Sequence, residues 1–416
     1  MPSNETIIKM NHFPRLSLRL FFNDRTIATF LLVLFCVFFV PIEQHGGISP
    51  LKVGVIALCP LIFLLKAPLI TKALLLGMTY WLLCYFLSLF KGQMRFSTLG
   101  FLGMHIMMYI TYYNLVAKGT FTLKYFTQTL KWLILAFGII LALQQCCLLV
   151  GIRNMPIINL QNQFFLGINK LPSLTLEPSH SARVLSALAL GYWRCNELYI
   201  GRRLTVTDLF DRNHKWVTIL FLWSMLTMGS GTAFIGLGIL AIYFVTPRTA
   251  IYIIPLLIGL FIIGNSMELT QMKRAVLVAK ATASGEAKEV QQADGSAAVR
   301  VMPALNTFTK LDLAKKETWI GKASMERRRT TADTKLTDQY GLIAFILALT
   351  FVYSCMIRRI ISIETLLFGF LLGFSYGNFY YTWGCLMIMT GVRYFQKQQE
   401  QGMLEIEEAS FLGGAP

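Results

Sequence analysis

The chain has 416 residues, of which 55% are hydrophobic and only 14% charged, and its formal net charge is +17. Soluble domains carry about a quarter charged residues, so an ordinary water-soluble enzyme is excluded and an all-α polytopic membrane protein is expected. The basic residues form no single patch, which excludes nucleic acid as a partner; they sit between apolar segments, where they set topology and meet membrane lipid.

Twelve apolar segments approach the length that crosses about 30 Å of hydrocarbon. In chain order they are 26–42, 51–66, 68–90, 98–116, 131–151, 180–195, 215–229, 231–246, 250–266, 339–357, 360–375 and 378–394. The basic first 25 residues lead straight into a full-length span, so no cleavable signal peptide is expected. With a cytoplasmic N-terminus, Lys66, Lys118, Arg202, Arg212, Arg358 and Lys397 all fall inside. The short outer loops keep Lys52, Lys91, Arg95, Arg153 and Lys170. That bias predicts a multi-pass membrane protein with both termini cytoplasmic. Eight cysteines lie in or beside apolar runs without a CxxC pair, so neither a metal centre nor a disulfide framework is expected, and no cofactor.

The expected organisation is an N-terminal bundle over 1–266, a large extracytoplasmic loop over 267–338, C-terminal helices over 339–396 and a cytoplasmic tail over 397–416. The loop holds thirteen Lys/Arg against nine Asp/Glu and has apolar stretches, which suits a small helical module lying on the bundle.

Three stretches could carry chemistry. In "SLTLEPSHSARVLSALALGYW", Pro178 suits a first helical position, making Glu177 the cap-like residue before it. Glu177, His180 and Arg183 then share one face, within about 120°. The apolar run from Ala182 to Trp193 is too short to cross a bilayer, so the helix is expected to start in a recess. Ionisable groups at such depth are functional candidates; an interfacial ion pair with Arg183 snorkelling to headgroups is the other reading. In "TMGSGTAFIGLGI", Ser230 and the glycines read first as helix packing. In "ADGSAAVRVMP", Ser296 is expected to cap a helix that carries Arg300 in its first turns, a geometry suited to phosphate. Lys273 and Arg274 stand at the exit of a span, Arg327 to Arg329 read as a surface facing anionic headgroups, and "SYGNFYYTWG" (375–384) reads as an interfacial aromatic belt.

The "EPSHSA" stretch, the "GSGTAF" span start, and the late outer loop with "DGSAAVR" and "WIGKA" before "DQYGLIAFILAL" together resemble the Wzy-type O-antigen and exopolysaccharide polymerases, relatives of the O-antigen ligases. The resemblance implies a membrane glycosyltransferase of GT-C-like type with about twelve transmembrane helices and a large extracytoplasmic loop capping a lipid-accessible cavity. It implies metal-independent polymerisation of undecaprenyl-diphosphate-linked oligosaccharide repeats at the outer face of the bacterial inner (cytoplasmic) membrane. A flippase and a chain-length regulator are the protein partners it implies.

By the resemblance, Glu177 matches the family's acidic position and Arg300 its loop arginine; with these two expected to be catalytic, His180 is expected as a second base and Ser230, Ser296 and Lys322 at the substrate site. Gly231 stands where relatives often carry an arginine, so diphosphate binding falls to Arg183, Lys273 or Arg274. Glycan transfer to another acceptor, as in a ligase, and a lipid-oligosaccharide flippase or transporter are the alternative functions.

Overall fold

The computed structural model describes residues 23–38, 50–91, 96–152, 170–245, 250–252, 255, 258–259, 295–322, 334–372 and 380–404. Among them all regular structure is helical. Short polar residues open several of the apolar runs by accepting an otherwise orphaned N–H. Asn23 caps α1 (Asp24–Cys36), Thr71 caps α3 (Lys72–Phe90) and Thr122 caps α5 (Leu123–Leu149). Between them lie α2 (Pro50–Leu65) and α4 (Phe96–Ala117). Next come α6 (Pro178–Ile200), the single turn α7 (Val206–Leu209), α8 (Lys215–Thr227) and α9 (Gly231–Phe244). The loop region carries α10 (Gly295–Thr309) and α11 (Lys316–Ile320), and α12 (Gly341–Met356), α13 (Ile363–Leu372) and α14 (Tyr380–Glu400) follow.

A helix stands at every predicted apolar segment except 250–266, most of which lies outside the described residues. Two helices, α3 and α5, are by themselves long and apolar enough to cross a membrane. Their outward faces expose Leu75, Leu82, Phe86, Trp132 and Ile139.

The expected short sixth segment is corrected by the structure. α6 has 23 residues, 18 of them buried, and at about 1.5 Å per residue it runs the depth of the bundle. Its Arg194, Asn196 and Glu197 interrupt the hydropathy that revealed the other helices. They are tolerated because the helix is walled by protein: α5, α9 and α14 pack against it. α14 is in turn crossed closely by α1 at Gly384, where a Cβ would lie 2.6 Å from the Phe35 carbonyl oxygen.

Polar contacts sort to two ends of this bundle. At the far end, Lys66 pairs with Asp24 at 2.6 Å, Tyr192 Oη meets His214 Nδ1 at 2.6 Å and Arg358 pairs with Glu400 at 2.7 Å. At the near end, Phe38 N–H donates to Leu174 O, Leu171 N–H to Met228 O, and Lys91 Nζ to Ile320 O. The starts of α2, α6, α9, α12 and α14 therefore share an end with the finish of α1, α3, α5 and α8.

The loop unit docks at the near end. Its α11 packs on α12, and Phe308 of α10 sits edge-on to Phe345 at 6.4 Å. Two left-handed glycines make the joint: a Cβ on Gly321 (φ +80°) would lie 2.5 Å from Gln339 O, and one on Gly341 (φ +82°) would collide with Trp319 O. Gly341→Ala is expected to cost at least about 2 kcal/mol, since strain and collision add, and to expose the loop unit to protease. Gly402→Ala, left-handed but in open space, is expected to cost only about 1 kcal/mol. Thermal unfolding in detergent and limited proteolysis compare the two; equal effects would mean that the joint does not hold the unit.

Candidate functional site

Residues 170–177 enter the near end as extended and turning backbone, whose amide groups need partners when buried. They find them densely. Gln144 of α5, fully buried, grips Ser173 from both sides: its Oε1 accepts Ser173 N–H at 2.9 Å and its Nε2 donates to Ser173 O at 3.1 Å. Ser173 Oγ donates to Phe137 O at 2.7 Å. This clamp holds Ser173 at φ +51°, a region that non-glycine residues avoid. Thr175 Oγ1 donates to Glu177 O at 2.7 Å and lies 2.8 Å from Ser181 Oγ, which itself bonds Pro172 O. The stretch is thus fastened to α1, α5 and the turn before α9 before it delivers Glu177.

Glu177 occupies the N-cap of α6 with extended backbone, and Pro178 takes the first helical position, as the sequence predicts. The Glu177 side chain does not cap the helix. Its Oε2 accepts from Ser179 Oγ at 3.1 Å and lies 3.7 Å from His180 Nε2. The carboxylate side chain is 33% exposed, so it stands at the rim.

Behind it the charge goes deep. Arg183 is 93% buried (7% exposed) and donates through Nη1 to Tyr381 Oη at 2.5 Å, with its guanidinium carbon 5.4 Å from the Tyr381 ring centre. Its Nε has no hydrogen-bond partner, and among the described residues no carboxylate lies within ion-pair reach of it. The same Tyr381 ring stacks on His180 at 4.1 Å and 27°. One tyrosine therefore fixes both cation-forming side chains of the site.

The structure brings Glu177, His180 and Arg183 together, and adds Tyr381 to them. Tyr381 and Trp383 were expected in an interfacial belt; both are buried, Trp383 stacked on His105 at 5.8 Å. Lys52 was expected in an outer loop; it is buried in α2 and donates to Val37 O at 2.8 Å, over the Phe38 ring. Ser230 is the buried N-cap of α9, beside the Met228 carbonyl that receives Leu171 N–H.

Three more of the expected site residues are described, all in the loop unit. Ser296 lies inside α10, which starts one residue earlier at Gly295, so it is not the cap; Arg300 is on the same helix. Lys322 pairs with Asp338 at 3.4 Å in the loop unit. Lys273, Arg274 and the Arg327 to Arg329 run lie outside the described residues. The packing role expected for the glycines of α9 fails at Gly238, where an added Cβ meets nothing within 4 Å.

Chemically, the near end offers an accessible carboxylate, an imidazole beside it and a buried guanidinium whose fixed partner is a neutral hydroxyl. At the other end of α6, Arg194 is satisfied by Glu364 at 2.7 Å and Glu197 at 2.8 Å. Among the described residues no three His, Cys, Asp or Glu side chains gather as metal ligands. No family model, curated protein or solved structure matches the chain.

Gln144→Leu strands the Ser173 amide and carbonyl in a buried place and is expected to cost about 2–4 kcal/mol. Ser173→Gly relieves the left-handed strain while losing one hydrogen bond, so its net effect is expected within about 1 kcal/mol of zero. Denaturation in detergent separates them; a silent Gln144→Leu would show that the clamp does not hold the stretch.

Proposed function

We propose that the chain is a polytopic membrane glycosyltransferase that polymerises undecaprenyl-diphosphate-linked oligosaccharide repeats into O-antigen, capsule or exopolysaccharide. The reaction takes place at the outer face of the bacterial inner membrane, with both termini cytoplasmic. The near end of the bundle faces outward, and the loop unit caps it. The exposed apolar perimeter of α2, α3 and α5, with Leu58, Leu64, Leu75 and Trp132 more than half exposed, supports insertion of the whole bundle in lipid.

One observation carries the reading: a rim carboxylate, Glu177, stands one to two helical turns from Arg183, a buried cation that lacks a carboxylate partner among the described residues. Burying such a charge is costly unless a counter-charge arrives, and an arginine suits a diphosphate by its planar fork of donors. In the proposed step Glu177 takes the proton of the acceptor sugar hydroxyl. The freed oxygen attacks the anomeric carbon of the donor glycan. The bond from that carbon to the diphosphate breaks, its electron pair staying on the diphosphate oxygen, where Arg183 stabilises the charge. Glu177 then returns its proton to water. His180 supports Glu177, and Arg300 of the loop unit supplies a second guanidinium to the diphosphate.

The test is the purified chain supplied with a lipid-linked repeat alone, read as a glycan ladder. Glu177→Gln and Arg183→Gln are each expected to lower ladder formation by about a hundredfold or more at unchanged protein level and unfolding temperature, and Arg300→Ala to shorten the ladder. Wild-type ladders from Glu177→Gln would overturn the assignment. Single transfer that needs a second acceptor would instead mark a ligase, and carriage of the lipid-linked glycan across liposomes without chain growth a flippase.

A further inference from the structure

The far end of the bundle has a cationic corner, distant from the Glu177 site, where three connections meet. Lys66 follows α2 and pairs with Asp24 of α1 at 2.6 Å. Lys118 follows the last residue of α4. Arg25 Nε donates to Thr120 O at 3.2 Å, and its guanidinium carbon lies 5.0 Å from the Tyr125 ring centre. The corner is built rather than loose. Asn114 of α4, buried, accepts Leu69 N–H at 2.9 Å. That bond ties the α2–α3 turn to α4, with Ala67 held at φ +52°, a region that non-glycine residues avoid.

Charge in this corner is out of balance. Arg25, Lys66 and Lys118, all half-buried, surround one half-buried carboxylate, Asp24. Among the described residues the Lys118 ammonium makes no hydrogen bond. Burial holds its pKa below the ordinary lysine value; Asp24 opposes that shift and Lys66 adds to it, so the two ammonium groups and the carboxylate share one field. Within two helical turns of these charges, Leu61 and Leu64 of α2 and Phe30 of α1 stand exposed. Both helices pack on α4, so cations and apolar side chains occupy the same flank of the bundle.

We propose that this corner binds the headgroup of an anionic glycerophospholipid. Lys66 and Lys118 take the phosphate diester oxygens through charge-assisted bonds, and Arg25 adds its positive field. The acyl chains lie along Leu61, Leu64 and Phe30. A soluble phosphate would meet the same cations but would cover none of that apolar border. Lysines that merely snorkel reach headgroups on free stems, whereas Lys66 is pinned by Asp24 and Lys118 is half-buried. The inference shares with the proposed function only the placement of the bundle in lipid. It requires no transfer step, so it stands or falls apart from Glu177.

The experiment takes the full chain in detergent micelles, adds phosphatidylglycerol or phosphatidylcholine, and reads the bound lipid by native mass spectrometry. Phosphatidylglycerol is expected to bind at least about tenfold more tightly than phosphatidylcholine and to weaken as salt rises. Lys118→Gln is expected to weaken it about fivefold and Lys66→Gln/Lys118→Gln about twentyfold, while Lys118→Arg retains most of the affinity. The control is Arg212→Gln/Lys215→Gln, which removes two exposed charges elsewhere at the far end and is expected to change the affinity less than twofold or so. Unchanged binding in Lys66→Gln/Lys118→Gln would overturn the proposal, as would an equal loss in the control or equal binding of the zwitterionic lipid. Displacement of the lipid by an equal concentration of inorganic phosphate would also overturn it, by making free phosphate the occupant. Lys118→Gln breaks no hydrogen bond among the described residues, so an unchanged unfolding temperature in that variant separates lost binding from lost fold.

Discussion

A guanidinium buried at the start of the central helix is the constraint around which the near end is organised. An isolated charge in an apolar interior costs several kcal/mol even after relaxation. Among the described residues a tyrosine hydroxyl and its ring answer Arg183 directly. Tyr381 must therefore be placed within hydrogen-bond range of a residue 198 positions earlier, which fixes how α14 lies along α6. The close crossing of α1 over Gly384 follows from the same placement, since it lets α1 deliver Val37 to Lys52 and Phe38 to Leu174.

The segment before α6 solves the complementary problem. Backbone that is neither helix nor strand is tolerated inside an apolar bundle only where protein groups satisfy it. Gln144, Thr175 and Ser181 do this, and their bonds hold Ser173 in a strained conformation. Strain of this sort persists where surrounding structure over-determines it, and it tends to gather at functional sites. The consequence for Glu177 is a fixed starting point: the carboxylate is carried by a backbone that cannot drift, on the first residue before a rigid helix.

Much of this was legible in the sequence, and the failures share a cause. Apolar runs located the helices, and Glu-Pro before Ser-His read correctly as a helix opening. Hydropathy under-measured α6 because it assumes lipid as the surroundings, whereas α6 is walled by other helices and keeps Arg194 and Glu197 by pairing Arg194 with Glu364, 170 positions away. The roles of Tyr381, Lys52 and Gln144 went unseen for a related reason. Each acts through a tertiary contact, and neither periodicity nor local motif encodes which distant helix a side chain will meet. Tyr381 was hidden further by its neighbours, since a run of aromatics before a span has an interfacial explanation that needs no partner.

The two ends of the bundle differ in how the described residues answer positive charge, and the proposed function builds on that difference. At the far end cations meet carboxylates: Lys66 with Asp24, Arg194 with Glu197 and Glu364, Arg202 with Asp208, and Arg358 and Arg393 with Glu400. At the near end Lys91 and Arg183 donate to uncharged oxygens, those of Ile320 and Tyr381. A neutral acceptor orients the Arg183 guanidinium without cancelling its charge, and among the described residues no carboxylate pairs with it. Under the proposed function, a site that draws in and holds an anionic group on a polyprenol carrier would use that unpaired guanidinium.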